Sequence, residues 1–193
     1  MKIVIIDYGA GNIRSLLFAF NRLGYKAVVS NEEGVIRSAD KVVFPGVGEA
    51  SSAMRKLKAS GLDVVIPELT QPVLGICLGM QLLCRRTAEN NTNGLGIFDT
   101  EIIRFTSVVR VPQIGWNTIY NLESKLFRGI DENEYMYQVH SYYAPLCENT
   151  IATTCYEHDY SAALQKDNFY GVQFHPEKSS EAGEVLLKNF VTI

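Results

Sequence analysis

Histidine is scarce in this 193-residue chain, with three copies, and tryptophan occurs once. So few imidazoles leave a short list of candidate bases, and no His/Cys group has metal-ligand spacing, so neither a metal nor a cofactor is expected. The four cysteines, Cys77, Cys84, Cys147 and Cys155, form no Cys-x-x-Cys and show no pairing rhythm. They read as reduced thiols of a cytoplasmic protein rather than a disulfide framework. No apolar run is long enough to cross a bilayer. The chain opens directly on a strand-like run, so no leader is expected. A net charge of -3 offers no electrostatic reason to bind nucleic acid or an anionic membrane. What remains is 47% hydrophobic and 20% charged, enough apolar material for one domain over residues 1–193.

The first half alternates strand and helix. Lys2–Ile6 is an apolar run suited to a strand buried on both faces. The loop Asp7–Asn12 leads into an amphipathic helix that reaches about Leu23 and stops at Gly24. Lys26–Val29, Lys41–Phe44 and Val73–Ile76 read as further strands. Helices are expected near Glu49–Ala59 and Leu78–Arg86. The second half is strand-rich: Ile97–Phe105, Thr118–Leu122, Tyr135–Tyr143, Ile151–Tyr156, Ser161–Gln165 and Gly171–Phe174. A helix over about Ser180–Val191 closes the chain. The expected fold is α/β: a mostly parallel central sheet with helices on both faces, plus a smaller antiparallel or mixed sheet.

Gly75-Ile76-Cys77-Leu78-Gly79 joins an apolar strand to a helical pattern. This is a nucleophile elbow with cysteine as the nucleophile. The turn forces Cys77 into a strained backbone conformation, and Gly75 and Gly79 leave room for strand and helix to approach. A helix N-terminus supplies roughly 0.3–1 kcal/mol to an anion, less than the ~1.4 kcal/mol that one pKa unit requires. An imidazole must activate the sulfur. His175 is the best placed. It is followed by Pro176 and Glu177, and in an extended segment residues two apart face the same way, so Glu177 can hold the ring. His140 is a weaker rival base, and His158 reads as a solvated turn. Cys84 reads as core, one helical heptad beyond the nucleophile, and Cys147 and Cys155 as structural. A tetrahedral intermediate needs two oxyanion donors. The N–H of Leu78 is one, and Val47 or Gly48 of the Pro45–Gly48 turn offers the other.

Gly75–Gln81 and Gly171–Glu177 resemble the two signatures of the class I glutamine amidotransferases. The loop Asp7–Asn12, the Pro45–Gly48 turn, Val111–Asn117 and Val139–Tyr142 extend the likeness across the chain. They narrow it to the glutaminase subunits that serve imidazole glycerol phosphate synthases. The resemblance implies that Cys77, His175 and Glu177 hydrolyse glutamine through a γ-glutamyl thioester. It implies that Gln81 touches the substrate, Glu89 takes its α-ammonium, and the backbone around Ser141 and Tyr142 holds its α-carboxylate. It implies a (β/α)8-barrel cyclase as partner, in a heterodimer, with Asn12, Trp116, Asn117 and Lys178 facing it. Ammonia passes to that partner, which makes imidazole glycerol phosphate and aminoimidazole carboxamide ribotide in histidine biosynthesis. The lack of a phosphate-binding loop agrees with a phosphorylated substrate bound by the partner. The family often has His-Met ahead of Gly-Trp-Asn, where this chain has Gln113-Ile114, a departure that touches the partner face rather than the triad.

Three rival functions share these residues. One is a glutaminase subunit for a surface-polysaccharide sugar amidotransferase. Another is a cysteine hydrolase acting on γ-glutamyl peptides without a partner. The third is a non-catalytic module keeping the fold, against which the intact Cys77, His175 and Glu177 speak.

Overall fold

The computed structural model describes all residues, Met1–Ile193. Seven strands form the main sheet, in the order β11-β12-β13-β4-β3-β1-β2. Its parallel part comprises β1 (Ile3–Ile6), β2 (Ala27–Ser30), β3 (Lys41–Gly46), β4 (Val73–Cys77) and β13 (Phe169–Val172). The antiparallel strands β11 (Thr150–Cys155) and β12 (Asp159–Lys166) extend one edge. A four-stranded mixed sheet holds β5 (Cys84–Thr87), β6 (Thr92–Asn93), β7 (Phe98–Arg104) and β10 (Tyr142–Tyr143). A separate antiparallel ribbon pairs β8 (Gln113–Ile119) with β9 (Glu134–His140).

Alternation along β1 shows why its residues are all apolar. Val4 and Ile6 enter one buried cluster, with α2 (Glu33–Arg37), α3 (Ala50–Ser60), α4 (Leu62–Val65) and α5 (Leu78–Leu83). Ile3 and Ile5 enter the opposite one, with α1 (Ile13–Arg22) and α6 (Ser180–Thr192). A strand covered on both faces has no side for polar residues. No helix is long and apolar enough to cross a membrane.

Several local readings change. The helix after Cys77 ends at Leu83, not Arg86, and Cys84 begins a strand. The carbonyls a longer helix would need are taken by Leu95 N–H on Leu82, Ile97 N–H on Leu83 and Gly96 N–H on Cys84. Cys84 is core as expected, in β5 rather than on a helix. The strand expected over Thr118–Leu122 instead runs from Gln113 to Ile119, paired residue by residue with His140–Glu134. The single strand expected over Tyr135–Tyr143 breaks at Ser141, with β9 and β10 pairing in different sheets. Cys155 is exposed and Cys147 half-buried, so neither is a core residue.

Candidate active site

The elbow is built by close backbone approach. Cys77 has φ 53° and ψ −111°, a strained conformation for a residue with a Cβ that costs ~1–3 kcal/mol. A Cβ on Gly79 would lie 1.9 Å from the Phe44 carbonyl oxygen, and one on Gly75 would lie 2.8 Å from Leu83 Cδ1. Both glycines are needed for α5 to start against β3 and β4. Tyr8, in the loop after β1, donates its hydroxyl to Pro45 O at 2.9 Å and so fixes the strand that leads into Val47 and Gly48.

His175 follows β13, the strand beside β4, and its Nδ1 lies 3.0 Å from Glu177 Oε1. The pair is set by a 3-10 turn over Pro176–Lys178, not by the extended segment expected from the sequence. His175 itself is extended, as the residue before proline should be, and Pro176 fits the first position of the turn, where its missing N–H has no role. His175 Nε2 is buried without a hydrogen bond inside the protein. Burial alone would lower the pKa of this ring. The neighbouring Cys77 sulfur, followed by the bond and charge of Glu177, outweighs burial and raises it to about 10. His140 is in the opposite situation. Burial pushes it down to about 4. Its two nitrogens are occupied by Tyr142 O at 2.8 Å and Gln138 Oε1 at 3.0 Å, so it is not a base for Cys77. His158 is exposed, as expected of a turn.

Cys77 and His175 open onto a cavity of about 270 Å³. Val47, Gly48, Leu78, Gln81, Glu89, Ser141 and Tyr142 line it as well. All seven were singled out from the sequence, and the structure brings them to one place. The N–H groups of Val47, Gly48 and Ser141 donate to no other group of the chain. Gly48 has φ +94°, a conformation that favours glycine. Glu89 Oε2 accepts from Ala50 N–H at 2.8 Å, which ties this carboxylate to the start of α3.

A second group of singled-out residues lies beside the triad. Trp116 is 52% exposed and meets the Tyr137 ring edge-on at 6.0 Å. Lys178 Nζ lies 5.8 Å from the same ring. Asn12 Nδ2 reaches Glu177 Oε1 at 3.5 Å. Asn117 is not brought to that face. It follows Trp116 on β8, so it points the other way, and its amide donates to Cys155 O at 2.8 Å.

Residues 4–193 match the family model described as glutamine amidotransferase class-I. The chain belongs to the class I glutamine amidotransferases. An imidazole glycerol phosphate synthase subunit HisH of Bacteroides fragilis (strain YCH46) is 56% identical to it over 196 residues, covering 100% of both chains. The protein of the same name from Escherichia coli (strain K12) is 47% identical over 194 residues, covering 99% of each. Among solved structures, PurLQS of Thermotoga maritima superposes with a TM-score of 0.73 at 14% identity, over 99% of this chain and 97% of its own. A glutamine amidotransferase of Thermotoga maritima superposes with a TM-score of 0.65 at 18% identity, over 100% and 83%. At these identities the two structures speak for the amidotransferase fold alone.

Two side chains that position this site were missed in the sequence. Ser179 is fully buried, accepts from Tyr137 N–H at 2.9 Å and donates to His175 O at 2.7 Å. It pins the turn carrying His175 and Glu177 to β9. Gln173 is equally buried, and its side chain has no partner outside the site. Each is a small-signal residue beside a strong motif. For Gln173, a polar residue between the core positions Val172 and Phe174, that flanking was the available clue, whereas Ser179 lies between exposed Lys178 and Ser180 and offers none. Ser179→Ala removes both bonds and leaves Tyr137 N–H without its acceptor, so it should cost about 1–3 kcal/mol of stability in denaturant unfolding and lower turnover. No loss of either would show that the turn stands without it.

The raised pKa of His175 has a direct readout. In the wild-type protein the ring should keep its proton up to about pH 10. Cys77→Ala and Glu177→Gln each remove a neighbour that favours the charged ring while burial remains, so each should move the ring titration downward, as followed by NMR of the imidazole. A midpoint unmoved by both changes would contradict the assigned causes.

Proposed function

We propose that this amidotransferase hydrolyses glutamine to glutamate and ammonia as the glutaminase subunit of an imidazole glycerol phosphate synthase, in the histidine pathway of the cytoplasm, with residues 1–193 acting as one domain. The observation that carries this reading is the convergence of Cys77, the His175–Glu177 pair and free backbone donors on one cavity.

Cys77 Sγ attacks the side-chain carbonyl carbon of glutamine. The developing oxyanion is met by the N–H of Leu78 and that of Val47 or Gly48. His175 gives its proton to the departing nitrogen, ammonia leaves, and a γ-glutamyl thioester remains on Cys77. The ring, now neutral, takes a proton from water, whose oxygen attacks the thioester. Glutamate departs and the sulfur and imidazolium are restored. Glu177 holds the ring in orientation through both halves. Glu89 takes the α-ammonium, the Ser141–Tyr142 backbone the α-carboxylate, and Gln81 contacts the substrate.

Ammonia passes to a (β/α)8-barrel cyclase docked over Asn12, Trp116 and Lys178. Exposed Trp116 and its exposed neighbours Ile114 and Tyr135 on the ribbon have the character of interface anchors. The test is glutamate release with and without the matching cyclase loaded with its ribotide ligand. Release that rises sharply with the loaded cyclase supports both activity and pathway. Release indifferent to the cyclase discards the histidine-pathway role and favours a partner-free hydrolase or another acceptor pathway.

A further inference from the structure

Val139, His140, Ser141 and Tyr142 line the cavity in one run, at the point where the chain leaves the ribbon for the mixed sheet. No strand pairs with Ser141 at the break. A connecting segment of this kind keeps its freedom unless side chains tie it down. Here the tie is the buried ring of His140. Its Nδ1 lies 2.8 Å from Tyr142 O, two residues along. A carbonyl oxygen only accepts, so Nδ1 carries the proton. The bond closes a loop over Ser141 and holds the residues on either side of it. Tyr142 O also accepts from Gln81 Nε2 at 2.9 Å, and Ser141 O accepts from Phe105 N–H at 3.1 Å. Both carbonyls are committed inside the protein, whereas Ser141 N–H is not.

The ring is itself held from behind. Nε2 lies 3.0 Å from Gln138 Oε1 and 3.2 Å from the Tyr160 hydroxyl, and both of these residues are fully buried. Tyr160 donates in turn to Gln113 Oε1 at 2.7 Å. The rings of Phe105 and Tyr160 pack on the imidazole with centroids 5.5 and 5.7 Å away. Burying this many polar groups is unfavourable unless their bonds are made, and a satisfied buried network stiffens what it touches. None of these bonds involves Cys77, His175 or Glu177. What the network touches is the backbone at the other end of the substrate.

We propose that His140, backed by Gln138 and Tyr160, is a positioning residue: it presets the Ser141–Tyr142 backbone so that the substrate's α-carboxylate binds without first ordering that segment. Preorganisation of this kind strengthens binding by removing an ordering cost. The α-carboxylate is remote from the reacting carbon, so the gain is equal in the ground state and the transition state. Its signature is therefore in KM and not in kcat. The inference rests on glutamine being the substrate and on this backbone taking its α-carboxylate.

His140→Phe keeps an aromatic ring and loses both nitrogens. Tyr142 O retains Gln81 as a donor, and Gln138 Oε1 retains the Tyr160 hydroxyl at 2.8 Å, so neither buried acceptor is orphaned and the fold should survive. KM for glutamine should rise roughly tenfold while kcat stays within about twofold. His140→Asn, whose amide nitrogen can stand in for Nδ1, should recover most of the affinity. The deciding substrate is γ-aminobutyramide, which is glutamine without its α-carboxylate. Its kcat/KM should be the same in wild type and His140→Phe, whereas a merely structural loss would lower both substrates alike. Gln138→Met frees the ring from behind and should raise the glutamine KM in the same way, which supplies the test if His140→Phe fails to fold. Equal losses on the two substrates, or a glutamine KM unmoved in both variants, overturns the inference. All are assayed beside wild type with the loaded cyclase. Wild type that releases no glutamate from glutamine sinks the functional reading instead.

Discussion

Cys77→Ala should abolish glutamate release from glutamine, by ~10³-fold or more, with the fold intact. The size of the loss follows from the chemistry. No other sulfur faces the cavity: Cys84 is buried in β5, where burial pushes its thiol well above the ordinary range, and Cys147 and Cys155 do not line it. Without the sulfur no thioester forms, and direct attack by water must proceed with the oxyanion donors and His175 alone. Alanine is smaller than cysteine and carries the same Cβ, so the strained backbone at φ 53° is no worse accommodated. A folded Cys77→Ala protein retaining even a tenth of wild-type turnover with the loaded cyclase would assign the chemistry elsewhere.

Gly79→Ala should be among the most damaging single-methyl changes in the protein. The added carbon would sit 1.9 Å from the Phe44 oxygen and 3.0 Å from its carbonyl carbon. Those atoms are backbone of β3, locked between β1 and β4, so no flexible side chain can swing away. Either α5 or β3 must shift, at about 3 kcal/mol or more, from a total stability of ~5–15 kcal/mol. The expected result is a sharp drop in melting temperature or in recovery of folded protein. Gly34→Ala is the matched control: a Cβ there meets nothing within 4 Å, and it should be near neutral. Equal melting temperatures for the two variants would show that the elbow is looser than its distances indicate.

The parts of the fold legible from the sequence are those in which a local pattern and the tertiary structure agree. The apolar runs Ile3–Ile6 and Val73–Cys77 have no polar face to offer, and both lie in the sheet interior. The Gly-x-Cys-x-Gly elbow could be read because steric need is written in residue type. The cavity-lining set could be read because motif likeness supplied residues from distant segments. Where local pattern and tertiary demand part, the reading failed. Leu82–Arg86 has helical character, yet the segment around Leu95 claims its carbonyls. Gln113–Asn117 contains a glycine with φ +134° and lies outside the strand expected over Thr118–Leu122, yet a partner strand orders it. Glu177 reached His175 by a turn rather than an extended segment, since residue spacing alone does not distinguish the two. Gln173 and Ser179 were invisible because their value lies in what they touch.

The adjacency of β13 and β4 has a consequence for the newly made chain. Gln173 and Cys77 are 96 positions apart, yet Val172 is in register with Ile76 on neighbouring parallel strands. The nucleophile is therefore synthesised long before its base, and their strands can pair only once the last fifth of the chain has left the ribosome. Contacts so far apart in sequence form late and slowly. Until then the cysteine has no proton acceptor beside it and the nascent chain cannot turn over glutamine. Catalytic competence thus marks the end of folding, and the appearance of activity on refolding should track the docking of β13 rather than the collapse of the N-terminal β-α-β half.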